Sequence, residues 1–165
     1  MSKNSTYTSF PLLSWDISKP TGKVKQLKLE EFTKLTEYSE LYNWDIDLKK
    51  ELAVVYQALV LTDLDQKILY VNEGFQGMTG YSPDFAIGKS PAFLQGKTTA
   101  AETVREFGQQ LRSGKRFTES IVNYRKNGEV YLCEISIIPI SCSDGELSHF
   151  LALENEIPPA AIQKQ

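Results

Sequence analysis

The chain has 165 residues, with 18 Lys+Arg against 21 Asp+Glu, a formal net charge of -3, and 41% hydrophobic and 24% charged residues. At roughly 150 residues per domain this is one domain with tails, able to bury about 70% of its unfolded surface without a metal or disulfide, so wholesale disorder and a collagen-like chain are excluded. No overall positive field is available to draw in nucleic acid or anionic lipid.

In chain order, residues 1–26 mix Ser, Thr, Pro11, Pro20, Gly22 and Lys without a sustained period and predict an irregular or extended arm. Its start lacks the apolar stretch of a signal peptide, and no run reaches the length of a membrane span, so the expectation is a soluble, cytoplasmic protein. Residues 27–58 read as a helical extension. Leu27, Phe32, Leu35, Tyr38 and Leu41 recur at helical spacing and form an apolar stripe. A break around Tyr42–Ile46 follows, then a second helix from Asp47, a capping residue, to Ala58, with Leu48, Leu52, Val55 and Tyr56 on one face. Lys23, Lys25 and Lys28 read as a solvated face. Trp15 and Trp44, each followed by Asp-Ile, read as packing anchors.

From Leu59 the texture becomes β. Two strands, LVLTD and KILYVN, flank a tight turn, and a glycine-dense stretch from Asn72 to Gly88 predicts short helical turns. Thr98–Arg112 carries a helical period, with Gly114 where the helix stops. Three antiparallel strands then run to Ile157, joined by Asn127-Gly128 and Asp144-Gly145, both two-residue hairpin signals, and residues 158–165 form a tail opening on Pro158-Pro159. The order argues an α+β fold: a five-stranded antiparallel sheet with helices on one face, plus the N-terminal amphipathic helix. Strand alternation places Ile121, Asn123 and Arg125, then Tyr131, Cys133, Ile135 and Ile137, then Phe150, Ala152 and Glu154 on one shared face. The two cysteines, Cys133 and Cys142, are too few for a zinc site.

Leu59–Gly96, with MTGYSPDFAIGK and the FLQG at Phe93–Gly96, together with NYRKNG at Asn123–Gly128, resembles a PAS domain of the LOV (light, oxygen, voltage) subclass over residues 59–157. The resemblance implies bound FMN and a photoreactive cysteine in a GxNCRFLQ stretch. This chain reads Gly88-Lys89-Ser90-Pro91-Ala92-Phe93-Leu94-Gln95 there, with proline at the thiol position. Proline has no side-chain heteroatom, and an unactivated Ser90 is too weak a nucleophile to replace it. Ala92 stands where the family has an arginine on the flavin phosphate. Gly108 matches a second such arginine by spacing, with Arg105 one turn earlier. At about 1.5–3 kcal/mol per charge-assisted hydrogen bond, two missing arginines weaken phosphate binding by orders of magnitude. Of the residues that meet the flavin ring in the family, Asn123 and Gln95 are retained, while Cys133 replaces a second asparagine and Glu154 a glutamine.

The candidate pocket residues are therefore Asn123, Gln95, Cys133 and Glu154, with no metal and no cofactor expected. Glu154 faces apolar surroundings, with Arg125 as its candidate partner, or else lies in water at the strand end. Cys133 reads as an inert buried thiol, and the only histidine, His149, as solvent-exposed beside its turn. The resulting expectation is a stand-alone sensory or protein-interaction module without cysteinyl-flavin photochemistry, and not an enzyme. Its length leaves no room for an attached effector, so it signals to another protein through the N-terminal helix and a homodimer built on that helix or the sheet face. A flavin-binding sensor without the adduct is the alternative. A small enzyme with Glu154 as general base is the second.

Overall fold

Period-2 alternation of apolar side chains builds a five-stranded antiparallel sheet of order β2-β1-β5-β4-β3, and the computed structural model describes it within residues 22–158. The strands are β1 (Ala58–Thr62), β2 (Ile68–Val71), β3 (Phe117–Tyr124), β4 (Val130–Ser141) and β5 (Leu147–Ile157). Helix α1 (Gly22–Tyr42) and the short α2 (Leu48–Glu51) precede the sheet. Between β2 and β3 run α3 (Glu73–Thr79), α4 (Pro83–Ala86), a 3-10 turn (Pro91–Leu94) and α5 (Ala101–Ser113). The predicted fold class is the observed one, and most strand limits fall within a residue of those read from the sequence.

The two hairpin loops differ from the reading in one respect. A two-residue type I′ turn needs positive φ at both central residues, and here only Gly128 (φ 87°) and Gly145 (φ 90°) have it. Arg125 N therefore bonds to Glu129 O at 2.8 Å, and Cys142 N to Glu146 O at 2.9 Å, enclosing three-residue loops instead.

The sheet has two cores because both faces are covered. On the inner face, Val60, Ile121, Ile135, Ile137 and Phe150 pack with Phe75, Leu94 and Leu111 from α3, the 3-10 turn and α5. On the outer face, Leu59, Leu61, Ile138, Ile140, Leu151 and Leu153 pack under Leu35 of α1 and Leu48 and Leu52 of α2. Phe32, Leu35 and Tyr38 of the predicted stripe are thus covered by the chain's own sheet.

The face that docks is not the one the apolar spacing suggested. At about 100° per residue, Lys28, Glu31, Leu35, Tyr38 and Tyr42 share a side at intervals of three and four. Leu35 is fully buried, whereas Leu41 is 72% exposed because it points off that side. Two charged members of the docking side disguised it. The predicted arm of residues 1–26 lies mostly outside the described residues, as does Trp15, but its last five residues belong to α1. The predicted helix to Ala58 stops at Glu51: Asp47 caps it, accepting from Lys50 N at 3.2 Å, but the β-branched pair Val54-Val55 follows and turns outward.

Candidate functional site

The inner face and the helical layer do not close on each other. A cavity of about 250 Å³ remains between β1, β3, β4 and β5 on one side and α5 with the 3-10 turn on the other. Its walls are mainly apolar, with Val60, Ile121, Ile135 and Phe150 from the sheet and Leu94, Val104, Phe107 and Leu111 opposite. Into it project Asn123 from β3, Gln95 from the end of the 3-10 turn and Glu154 from β5, while Thr62 and Gln66 of the β1–β2 hairpin also line it. Sequence reading missed these last two, since nothing in their spacing marks a lining position. No lysine, arginine or histidine is among the described residues that line the cavity.

Glu154 is held there by register. It pairs with Ala58 of β1 and Ile135 of β4 in the middle of the sheet, and is 5% exposed. The reading that placed it in water at the strand end is therefore corrected. Its hydrogen-bond partner is the thiol of Cys133, whose Sγ lies 3.8 Å from Oε2, a long contact from a weak donor. Burial pushes the carboxyl pKa up to about 7, and the thiol only partly offsets this. Cys133 itself is fully buried in the inner core beside Glu154 and is not among the lining residues, so of the four candidates it is the one that does not line the cavity. Burial and the neighbouring carboxyl push its thiol pKa well up, which keeps it protonated and unreactive.

The expected Arg125–Glu154 pair does not form. Arg125 is engaged elsewhere: Nη2 donates to Glu156 Oε1 at 2.7 Å, Nη1 to Met78 O, and the guanidinium lies 4.4 Å from the centroid of the Tyr131 ring. Tyr131 Oη is buried without a well-formed hydrogen bond, its polar neighbour being Asn123. Arg105 is engaged with Glu102 at the surface and does not line the cavity, whereas Gly108 and Ala92 do. Pro91, also lining it, opens the 3-10 turn, which Ser90 caps by accepting from Ala92 N at 3.3 Å.

Behind the sheet a second buried carboxylate has the opposite character. Glu31 of α1 is also 5% exposed, but Oε2 accepts from Tyr56 Oη at 2.8 Å and Lys28 Nζ at 3.2 Å, and Oε1 from Asn72 Nδ2 at 2.9 Å. Lys28 sits 3.4 Å above the Tyr56 ring and is not the solvated side chain expected of it. Asn72 is the hub. Its Oδ1 accepts from Phe75 N at 3.0 Å, capping α3, and from Leu59 N of β1 at 2.9 Å. The close approach requires Gly74, because a Cβ there would stand 1.7 Å from Gln57 O. One side chain thus ties α1 to the strand whose next residue, Val60, lines the cavity.

His149 is 4% exposed, contrary to expectation: Trp44 Nε1 donates to its Nδ1 at 3.1 Å, and burial lowers its pKa. Trp44 is the packing anchor expected, bridged to Cys142. Among the described residues no helix is long and apolar enough to cross a membrane, and no cluster of three or more His, Cys, Asp or Glu stands ready for a metal.

Comparison with known proteins agrees with this architecture. The family description "PAS domain" matches residues 57–157. The chain is 33% identical over 104 residues to the bacterioopsin transcriptional activator of Halobacterium salinarum, covering 63% of this chain and 15% of that protein. It is likewise 33% identical over 114 residues to phototropin-2 of Oryza sativa subsp. japonica, covering 67% of this chain and 13% of that protein. The chain therefore spans only a small part of the length of these curated relatives. Among solved structures, the light-state structure of the blue-light photoreceptor Aureochrome1 LOV superposes with a TM-score of 0.64 at 26% identity, covering 71% of this chain and 94% of that one.

Proposed function

The chain belongs to the PAS domain family, with LOV domains among its structural neighbours, and on that premise we propose that it is a sensory module whose inner cavity takes a small molecule other than FMN and whose output passes through α1. The observation that carries this reading is Asn72, which joins Glu31 of α1 to the cap of α3 and to β1. A change in the cavity that shifts β1 alters the seat of α1, and occupied and empty states then differ in how firmly the helix is held.

Light-driven thiol chemistry is not part of this function. Pro91 stands at the position the family gives to its reactive cysteine, and Cys133 is a protonated thiol beside Glu154. The residues present do not fit FMN. Its dianionic phosphate would find no cation in the cavity lining, and a buried carboxyl occupies the ring edge where the family has a neutral amide. Among the described residues the one thiol beside Glu154, Cys133, is kept protonated and does not line the cavity, which supports a binding module over an enzyme. The exposed side of α1, with Leu29 at 56% and Leu41 at 72% exposure, is where a partner protein or a second copy is met.

Incubated with excess FMN, desalted and illuminated with blue light, the chain is expected to come through colourless. A retained blue-region band that bleaches in light and recovers in the dark would contradict the reading. For the output, hydrogen exchange across residues 22–42 is expected to change when the cavity is filled, and identical exchange in both states would remove the coupling.

A further inference from the structure

The cavity is unusual for the charge it holds. Interiors leave carboxylates unpaired only at a cost, and the sheet had an arginine two residues beyond Asn123 available to neutralise Glu154. That arginine is instead committed to Glu156, Glu129 and the carbonyl of Met78. Glu154 is left with one weak thiol contact, and its carboxyl projects into a space of about 250 Å³, below the roughly 300–1,000 Å³ of drug-sized sites. The walls are aliphatic and aromatic, suited to a flat apolar body. Among the described residues, the other polar side chains lining it are the neutral amides Asn123, Gln95 and Gln66 and the hydroxyl of Thr62, all of which can donate or accept.

An anionic ligand would find no cation in the lining and would be repelled whenever Glu154 ionised. A purely apolar one would strand the carboxyl in a dry site. A ligand that offers hydrogens to oxygen satisfies both constraints. Resting on the reading of this cavity as the sensor site, we propose that it binds a compact, flat heterocycle, neutral or cationic, that presents an exocyclic amine beside a ring nitrogen to Glu154, and that carries no phosphate or carboxylate arm. With the ring nitrogen protonated, either in solution or by the proton of the Glu154 carboxyl, the amine and the ring N–H donate two parallel N–H···O bonds to the carboxylate, the geometry it accepts best. Asn123 and Gln95 then orient the rest of the ring, and ligands are sorted by the donors on one edge.

Three probes of equal shape separate the possibilities: 2-aminoquinoline, 2-methylquinoline, in which a methyl replaces the amine, and 2-naphthoate. Calorimetric titration of the full chain is expected to give an affinity for 2-aminoquinoline at least about tenfold above that for 2-methylquinoline, with 2-naphthoate weakest. In Glu154→Gln, the preference is expected to shrink to about twofold or less, with the melting transition intact to show that the variant is folded. Equal binding of the amino and methyl probes, tighter binding of the naphthoate, or a preference that survives Glu154→Gln would overturn the proposal while leaving a ligand-binding cavity in place. If none of the three binds, the cavity is not a receptor, and the sensor reading falls with the proposal. The wild-type comparison decides the matter even if the variant does not fold.

Discussion

Glu31 and Glu154 lie on opposite sides of one sheet and are equally buried, at 5% exposure each, yet they do different things. Glu31 accepts hydrogen bonds from a phenol, an ammonium and a carboxamide. Glu154 has a thiol at 3.8 Å. Burial alone therefore does not tell a carboxyl that holds a fold together from one that awaits a ligand. The difference lies in how many donors the fold itself supplies, because a charge already satisfied has nothing left to offer and one left wanting does.

The comparison breaks first if Glu31 proves dispensable. Replacing it with Ala removes the acceptor for three buried or half-buried donors and frees α1 from Asn72, so urea unfolding is expected to show a loss of about 3–5 kcal/mol. Leu35→Ala, in the same outer core, is expected to cost about 2–5 kcal/mol by opening a cavity under α1. Losses near zero in both would mean that α1 is not a docked element.

On the other side the effect runs through pH. The Glu154 pKa is raised from the ordinary 4.5 to about 7, so the folded chain holds this proton more tightly than the unfolded one. The stability it contributes is fully present below pH 4.5 and is lost as pH rises through about 7. Relative to Glu154→Gln, wild type is expected to lose on the order of 3 kcal/mol across that window, measured by denaturant unfolding at a series of pH values. A constant difference would mean that the carboxyl is solvated or paired. The smallest expected effect sharpens the same contrast: Tyr131→Phe removes a buried hydroxyl whose contact with Asn123 falls short of a well-formed hydrogen bond, so the change is expected to be within about 1 kcal/mol of neutral.

The strands and the shared face of Asn123, Ile135 and Glu154 were legible because alternation in a strand is a strict geometric consequence of the backbone. Asn123 and Glu154 could be placed at the cavity for the same reason, while Gln95, which ends the 3-10 turn, was placed there by the family resemblance alone. What escaped was set by contacts between elements far apart in the chain. Glu31 looked like a surface charge on a helix because its partners, Tyr56 and Asn72, come from two other segments, although the three-four spacing from Lys28 to Tyr42 was present. His149 looked exposed beside its turn because Trp44, 105 positions earlier, buries it. Arg125 was assigned to Glu154 from pairing in the sheet, while a carbonyl of α3 and Glu156 took it instead.

The contrast between the two carboxyls is tested most directly by following the side-chain carboxyl carbon of Glu154 by NMR through a pH titration, alone and with saturating 2-aminoquinoline. A midpoint near 7 in the free chain, falling when the amine is added, is the predicted result. A midpoint in the ordinary carboxylate range that does not move with the probe would contradict it.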